Sequence, residues 1–549
     1  MHTHGICICL VSVALASTST PCMRAYAGKS AFGSSQTKTM SIMDLRDRIA
    51  GGWAGKMIGV SFGAPTEFRA QGKTYEEKLA WEPGRVNNSL QQNDIYVQLS
   101  FMMTMDRYGV NAPAEKFAES FASAGYPLWH ANAQARKNFF DGVMPPLSGS
   151  PEYNSHADDI DFQIEADYIG FMCPGMPRTA GKLADKVGHI MNYGDGVYGG
   201  MFVGALYTHA FFETNIEKIV DEALRSIPAK SEYALCIRDV VLLHRRFPDD
   251  WRAAWRRLET KWSADDICGA LQPFNIDAKL NGAYIVMGLL YGDGDFGKTM
   301  EISLRCGQDS DCNPSNAAAV IGVIKGMKGT PNYACIIRGP HCGIPDDWKR
   351  GIAPIADSLF IFTGYTFATA VENTLKYAKQ LIAENGGKVT DTSVTIRLQE
   401  PRAPKLEQSF PRVVPDRFVP HTDASWRFTG DWGPAGGNIR AAEAAGATAT
   451  FTFTGTGVAV TGEWSKHGGR ADVYVDGRMS RTIDVWFRQG GMYPIWQTFK
   501  LKPGTHTVRI VVAGEKRPES AGARIAIGGA TVFKTGKKAF EGIDVTKME

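Results

Sequence analysis

The sequence predicts a multidomain chain, in which a large all-α domain is followed by a smaller all-β module of the jelly-roll or β-sandwich kind. Three observations carry this reading. Apolar residues recur at helical spacing from about residue 41 to 388, five prolines crowd residues 389–425, and from Trp426 onward the pattern alternates with period two. At 549 residues the chain exceeds what one ordinary core organises, so more than one domain is expected.

The helical elements follow in order. Ser41-Ile-Met-Asp44 forms a capping-box pattern ahead of Leu45, Ile49, Trp53 and Met57, which share one helix face. Gly51, Gly52, Gly55 and Gly59 in that stretch cost helix propensity, so they predict a second helix packed close against this one. Ile95, Leu99 and Met103 make another stripe. Ala368 to Ile382 reads as an amphipathic helix, with Val371, Leu375, Ala378 and Ile382 on one face and Gly386-Gly387 closing it. Residues 389–425, with their prolines and mixed charge, read as an extended linker. Beyond it lie short alternating strands at Thr448–Phe453, Val458–Val460, Ala471–Val475 and His506–Ile510, with turns at Asp476-Gly477 and Pro503-Gly504. These strands predict a sandwich over 426–535, similar to the galactose-binding-like modules of secreted carbohydrate enzymes.

The first 27 residues have the pattern of a signal peptide. An apolar run, Ile6 to Ala16, leads to Ala25-Tyr26-Ala27, although no Lys or Arg precedes the run. The expectation is a secreted or periplasmic protein with no membrane span. Ten cysteines are present, and removing Cys7, Cys9 and Cys22 with the leader leaves seven. No CxxC pair or Cys/His cluster with zinc spacing appears, and the odd number leaves at least one free thiol. Whether Cys335 and Cys342 pair is left open by the sequence. Lys and Arg total 60 against 57 Asp and Glu, and so small an excess gives no electrostatic reason to expect nucleic acid or a membrane surface as partner.

The densest acidic signal is Gly307-Gln-Asp309-Ser-Asp311-Cys-Asn313-Pro314, ahead of an apolar helix. Two carboxylates two residues apart on a tight loop converge readily on one hard cation. Asn313-Pro314 reads as the cap and first position of the following helix. An EF-hand is excluded, because loop position six is Pro314 and position twelve is Val320. Gly292 to Thr299 matches the phosphate-loop pattern, but two aspartates within it would repel phosphate and no βαβ unit surrounds it. It reads as a turn between helices.

With these residues in hand, the chain resembles the ADP-ribosylglycohydrolase family over roughly residues 41–388. Gly307 to Gly322 resembles the family's GGDTDTNA…G signature, and Gly55 to Glu67 is similar to its GDALGxPxE segment. Gln91 to Ile95 stands where the family has TDDT, and His189 to Tyr207 resembles its histidine-led segment. The resemblance implies an all-α fold with a metal site, usually two Mg²⁺ ions, held here by Asn93, Asp94, Asp309 and Asp311. The chain departs from the pattern at Gln92, Asn93 and Cys312. These changes remove one charge and two hydroxyls, so one ion, Mg²⁺ or Ca²⁺, is a fair alternative to two. Glu67 falls where the family has a glutamate acting on the attacking water.

A second acidic cluster, Asp158 to Asp167, puts Asp161 and Glu165 on one face if it is helical. Asp161 and Glu165 are candidate acid groups, and Asp167, His189 and Asn192 are candidate substrate-binding residues. Together these readings predict a secreted, metal-dependent hydrolase of a glycosidic bond in a sugar or glycan. Two alternatives stand beside it: an ADP-ribosyl-acceptor hydrolase proper, and a non-catalytic carbohydrate-binding protein on the same scaffold. The oligomeric state is not legible.

Overall fold

The structure is a computed structural model describing residues 36–330 and 363–548. The leader and the Cys335/Cys342 pair lie outside the described residues. Among the described residues no helix is long and apolar enough to cross a membrane.

The chain enters on β1 (Thr37–Ser41) and turns into α1 (Ile42–Gly63). Ser41 caps that helix, its hydroxyl accepting from the Asp44 amide at 2.9 Å and donating to the Asp44 carboxylate at 2.8 Å. Leu45, Ile49, Trp53 and Met57 are fully buried. The partner that the glycines anticipate is α14, the helix Cys312–Lys325. A Cβ at Gly51 would fall 2.2 Å from the Gly322 carbonyl oxygen, at Gly55 2.4 Å from that of Ala318, and at Gly59 2.5 Å from that of Pro314. Only glycine permits this approach, and the two helices run side by side through the centre of the core.

Around this pair stand α2 (Asn93–Tyr108), α3 (Ala114–Ser123), α4 (His130–Phe140) and the short α5 (Asp161–Glu165) and α6 (Asp167–Phe171). Next come α7 (Pro177–Gly188), α8 (Asp195–Ala210), α9 (Ile216–Leu224), α10 (Glu232–Arg246) and α11 (Trp251–Trp262). The domain is completed by α12 (Ala278–Gly292), α13 (Phe296–Arg305) and α15 (Phe367–Glu384). The phosphate-loop lookalike is the turn between α12 and α13. Asp293 there is left-handed at φ 48°, and the Asp295 carboxylate caps α13 by accepting from the Lys298 amide at 2.7 Å.

Two expectations are corrected. The segment 389–425 is not a free linker. Its start forms β2 (Lys388–Val389) and β3 (Ser393–Arg397), and β3 pairs antiparallel with β1, so that the helical domain closes on itself. Its end forms β4 (Val413–Pro420), which pairs with the last strand of the sandwich. Between them Ser409 and Glu407 bond to the Tyr193–Tyr198 stretch. The second correction concerns Asn313, which is not the cap of α14. That role belongs to Asp311, whose carboxylate accepts from the Cys312 amide at 2.9 Å.

The sandwich contains β5 (Trp426–Thr429), β6 (Gly433–Pro434), β7 (Arg440–Ala442), β8 (Thr448–Gly455) and β9 (Gly457–Trp464). β10 (Arg470–Val475), β11 (Arg478–Asp484), β12 (Gly491–Thr498), β13 (Gly504–Val512) and β14 (Ile525–Thr535) complete it. One sheet has the order β11-β10-β13-β8-β5 and the other β12-β9-β14-β7-β6, with β4 on β14. Asp476 and Gly477 both have positive φ, 48° and 79°, as a two-residue hairpin of primed type requires. Trp464 is core, stacked on Tyr493 with centroids 4.0 Å apart.

The sandwich is docked on the helices. Phe410, Phe499 and Phe533 cluster with Ala157 and Ile267 of the helical domain. Arg488 donates to the Ala124 carbonyl at 2.7 Å, and Arg517 pairs with Asp141 at 2.5 Å. The C-terminal tail returns to the helical core, where Phe540 stacks on Trp262 at 4.4 Å and Val545 is buried.

Candidate metal and hydrolytic site

The glycine seam between α1 and α14 ends at the acidic loop. Gly63 closes α1, and a Cβ there would lie 2.3 Å from the Asp311 Cα. Directly after it Thr66 shares a hydrogen bond of 2.8 Å with the Ser310 hydroxyl, and the Phe68 amide donates to the Gln308 carbonyl at 3.0 Å. Gln308 itself is left-handed, at φ 54°. Its amide donates back to Ala70 at 2.8 Å. The loop bearing Glu67 is thus laced by backbone bonds to the loop bearing Asp309 and Asp311, and three carboxyl groups from distant sequence share one region.

Their environment is strongly acidic. Asp309 and Asp311 are 3% and 2% exposed. Burial, and then Glu67 and Asp94, push Asp309 up to about 7, although contacts with Asp311 and Cys312 oppose the rise. Asp311 is pushed well above the carboxylate range by burial and by Asp309. Glu67 keeps a solvent-exposed side chain, yet loss of hydration and the charges of Asp311 and Asp94 push it up to about 8. Mutually repelling carboxylates with this much unrelieved charge fit a hard divalent cation, whose charge would restore their ionised forms. Ligand atoms of Asp309, Asp311 and Cys312 all lie within 4.8 Å of one another.

Asp94, in the first turn of α2, stands beside that group. Its Oδ2 accepts from the Cys312 thiol at 3.1 Å, so the thiol acts here as a donor to a carboxylate. Its Oδ1 lies 2.9 Å from the Nζ of Lys56, which also reaches Asp167 at 3.1 Å and the Ile164 carbonyl at 2.8 Å. Burial alone would lower the lysine's pKa, but Asp167 and Asp94 reverse this and hold the ammonium protonated. Sequence reasoning missed Lys56. The signal was present, since it is a lone charge in the apolar, glycine-rich face of α1. Asn93 opens α2 next to Asp94 and is half-buried.

The remaining acidic candidates are Asp161 and Glu165. Asp161 accepts from the Ala131 and Asn132 amides at 3.2 and 3.1 Å, at the N-terminus of α4. Burial pushes it up to about 7, with those amides opposing. Glu165 shares its face, as helical spacing requires, and accepts from the Asn132 side chain at 2.5 Å. It is fully buried and held well above the carboxylate range by lost hydration and by Asp161.

The three residues expected to bind substrate have the following surroundings. Asp167 is fully buried and accepts from Lys56, Asn316, Gln98 and the Tyr207 hydroxyl. Asn192 is also fully buried. Its carbonyl oxygen accepts from Phe162, and its amide donates to the backbone of Ala157 and Asp159 at 3.1 and 2.8 Å. His189 bonds to the Asp185 carbonyl at 2.6 Å and to Glu407 at 3.0 Å. Each of the three has polar atoms hydrogen-bonded within the fold, and His189 is half-buried. An aromatic ledge that the sequence did not reveal begins next to Glu67, where Phe68 packs on Phe274 at 5.1 Å and Phe274 stacks on His130 at 5.8 Å.

A family model described as ADP-ribosylglycohydrolase matches residues 41–383. No curated protein shows significant similarity to the chain. Among solved structures, an ADP-ribosylglycohydrolase-related protein complex is 14% identical, covers 61% of this chain and 98% of its own, and has a TM-score of 0.42. A CBM36-1 domain of a multidomain xylanase from the hindgut metagenome of Trinervitermes trinervoides is 18% identical, covers 22% of this chain and 98% of its own, with a TM-score of 0.17. A carbohydrate-binding module, CBM36, in complex with calcium and xylotriose is 11% identical, covers 22% and 100%, and has a TM-score of 0.16.

Proposed function

Because the chain belongs to the ADP-ribosylglycohydrolase family over residues 41–383, we propose that it is a metal-dependent hydrolase of a glycosidic bond, acting on a sugar or glycan. The observation that carries this reading is the lacing of the Glu67 loop to the Asp309/Asp311 loop. Asp309 and Asp311 would hold one divalent cation, Mg²⁺ or Ca²⁺, with Asp94 fixed beside them by Lys56 and Cys312. A bound cation of this class would accept coordination from the oxygens of vicinal sugar hydroxyls. Glu67 is the one acidic group of this site with an exposed side chain, and with the charge of its neighbours taken up by the cation its carboxylate is ionised and able to accept a proton. It takes the proton from the attacking water as the water oxygen bonds to the anomeric carbon; the glycosidic C–O bond breaks, its electron pair leaves with the aglycone oxygen, and that oxygen takes a proton from solvent water. The buried carboxylates below stabilise the positive charge that develops on the ring. Asp161 and Glu165 serve by fixing the start of α4 rather than by proton transfer.

The substrate reading rests on organisation. The sandwich, and the signal-peptide pattern of residues 1–27, are features that extracellular glycan breakdown would use, and a secreted or periplasmic location belongs to the same proposal. The test compares kcat/KM for an ADP-ribosylated peptide with a panel of aryl glycosides and glycans, with and without EDTA. Turnover of a glycan or glycoside that EDTA abolishes supports the proposal. A preference for the peptide above about a hundredfold, roughly 2.7 kcal/mol of transition-state stabilisation, would replace the glycan with the ADP-ribosyl bond. Glycan binding without turnover of anything in the panel would point to a carbohydrate-binding protein on this scaffold.

A further inference from the structure

Beyond the carboxylate site, four side chains of a different chemical character meet at the far end of the aromatic ledge. His130 opens α4, His156 and Asp159 lie on the turn before α5, and Cys268 lies on the loop between α11 and α12. One ligand atom from each of the four lies within 4.8 Å of the others. The Nδ1 of His156 is 2.7 Å from Asp159 Oδ2, and that of His130 is 3.8 Å from the same oxygen. Asp159 is fully buried and His156 is 5% exposed. Asp159 Oδ1 and His156 Nε2 have no hydrogen-bond partner among the described residues.

Two further observations set the cluster apart from an ordinary buried dyad. His130 is held at φ 44°, a left-handed conformation that strains a side-chain-bearing residue and that a helix start does not require. The loop carrying Cys268 is anchored nearby. Asp266 accepts from the Cys268, Gly269 and Ile276 amides at 2.7, 2.9 and 2.8 Å. Asp159 is tied to the same region through its bridge to Asp277. The thiol is therefore presented to Asp159 by a braced loop.

We propose that His130, His156, Asp159 and Cys268 form a binding site for a single transition-metal ion of the Zn²⁺ class, separate from the Asp309/Asp311 site. Two imidazoles, a thiolate and a carboxylate make a borderline-soft donor set that suits Zn²⁺ and disfavours Mg²⁺. Tetrahedral zinc would bring its donors to about 3.3–3.8 Å from one another, so the His156–Asp159 pair would open from 2.7 Å and no pair would need to close by more than about 1.5 Å. The ion would clip together the start of α4, the turn before α5 and the Cys268 loop. The same loops underlie the sandwich, since Ala157 and Ile267 pack against its Phe499 and Phe533. Sequence spacing concealed the site because its ligands come from three segments, of which only His156 and Asp159 are close in sequence.

The test uses the full chain, purified without chelator, dialysed against excess Mg²⁺ with trace Zn²⁺, and measured by elemental analysis. The expected result is about one zinc per chain, with Cys268→Ser and His130→Ala each weakening zinc binding roughly tenfold or more. His130 and Cys268 are partly accessible, so these variants should fold. Far-ultraviolet circular dichroism checks that they do. Replacing zinc with Co²⁺ should give a thiolate-to-cobalt charge-transfer band that Cys268→Ser abolishes. Asp311→Ala should leave the zinc in place while lowering bound Mg²⁺, so that failure of one site does not imply failure of the other. No zinc in the wild type, zinc unchanged in both ligand variants, or zinc lost in Asp311→Ala would each overturn the proposal.

Discussion

The glycine seam makes a position-dependent prediction. Alanine at Gly51 and alanine at Gly63 meet equally hard obstacles. The new methyl would lie 2.2 Å from the Gly322 oxygen in one case and 2.1 Å from the Ser310 oxygen in the other. Ordinary contact begins near 3.4 Å, so α14 must move away by about 1 Å at either end, and overpacking of this kind costs about 1–3 kcal/mol. The consequences for the site differ. Gly51 lies twelve residues before Gly63, about 18 Å along the helix axis, and faces the far end of α14. Gly63 abuts Asp311 and leads directly into Glu67.

Both variants should therefore lose similar stability in urea unfolding, measured against Gly84→Ala, where a Cβ meets nothing within 4 Å. Only Gly63→Ala should also lose the rise in melting temperature that Mg²⁺ or Ca²⁺ gives the wild type. Its kcat/KM should fall by about a hundredfold, the usual cost of a 1 Å misplacement at a catalytic centre. An equal loss of metal response in both variants would show that the seam matters only for general stability. A normal response in Gly63→Ala would refute the coupling of seam to site.

Three further outcomes are expected. Lys56→Met leaves Asp94 and Asp167 buried without their shared cation and should destabilise the chain by about 3–5 kcal/mol in urea; a loss below 1 kcal/mol would count against the ion-pair geometry. In metal-free protein Glu67 and Asp309 bind protons more tightly folded than unfolded, with values of about 8 and about 7, so stability should fall as pH rises from about 4 to 8. The melting-temperature rise caused by Mg²⁺ should accordingly be larger at pH 8 than at pH 5, and an equal rise at both would contradict this assignment of charge. Truncation after Gly387 removes β3 from β1 and strips Phe540 and Val545 from the helical core, so the fragment should be insoluble or molten by near-ultraviolet circular dichroism.

The sequence revealed most where one residue type has one physical explanation. Glycines four apart in a helix have little use other than close packing, and the capping pattern at Ser41 and the hairpin at Asp476-Gly477 are equally local. It revealed least where a signal was correct but incomplete. Prolines at 401–420 do break helices, yet β3 and β4 are set by pairing with strands hundreds of residues away in one case and over a hundred in the other. Asn313-Pro314 has the composition of a helix start, but the tight loop lets Asp311 reach the Cys312 amide first. Lys56 was overlooked because its meaning depends on Asp94 and Asp167, which only the fold brings to it.

The acidic residues show why composition alone could not separate the site from its supports. Asp161, Asp167 and Asp311 are all buried aspartates, and in sequence each sits beside other acids. What distinguishes them is the supply of donors. Asp167 meets an ammonium, two side-chain amides and a phenol, and Asp161 meets two backbone amides at the start of α4. Both are hydrogen-bonded within the protein. Asp309 and Asp311 meet mainly each other, the Cys312 amide and the charge of Asp94, so much of their negative charge has no internal counterpart. A cation is the simplest species that completes such a pair, and Glu67 is held by the same two loops at the solvent side of it.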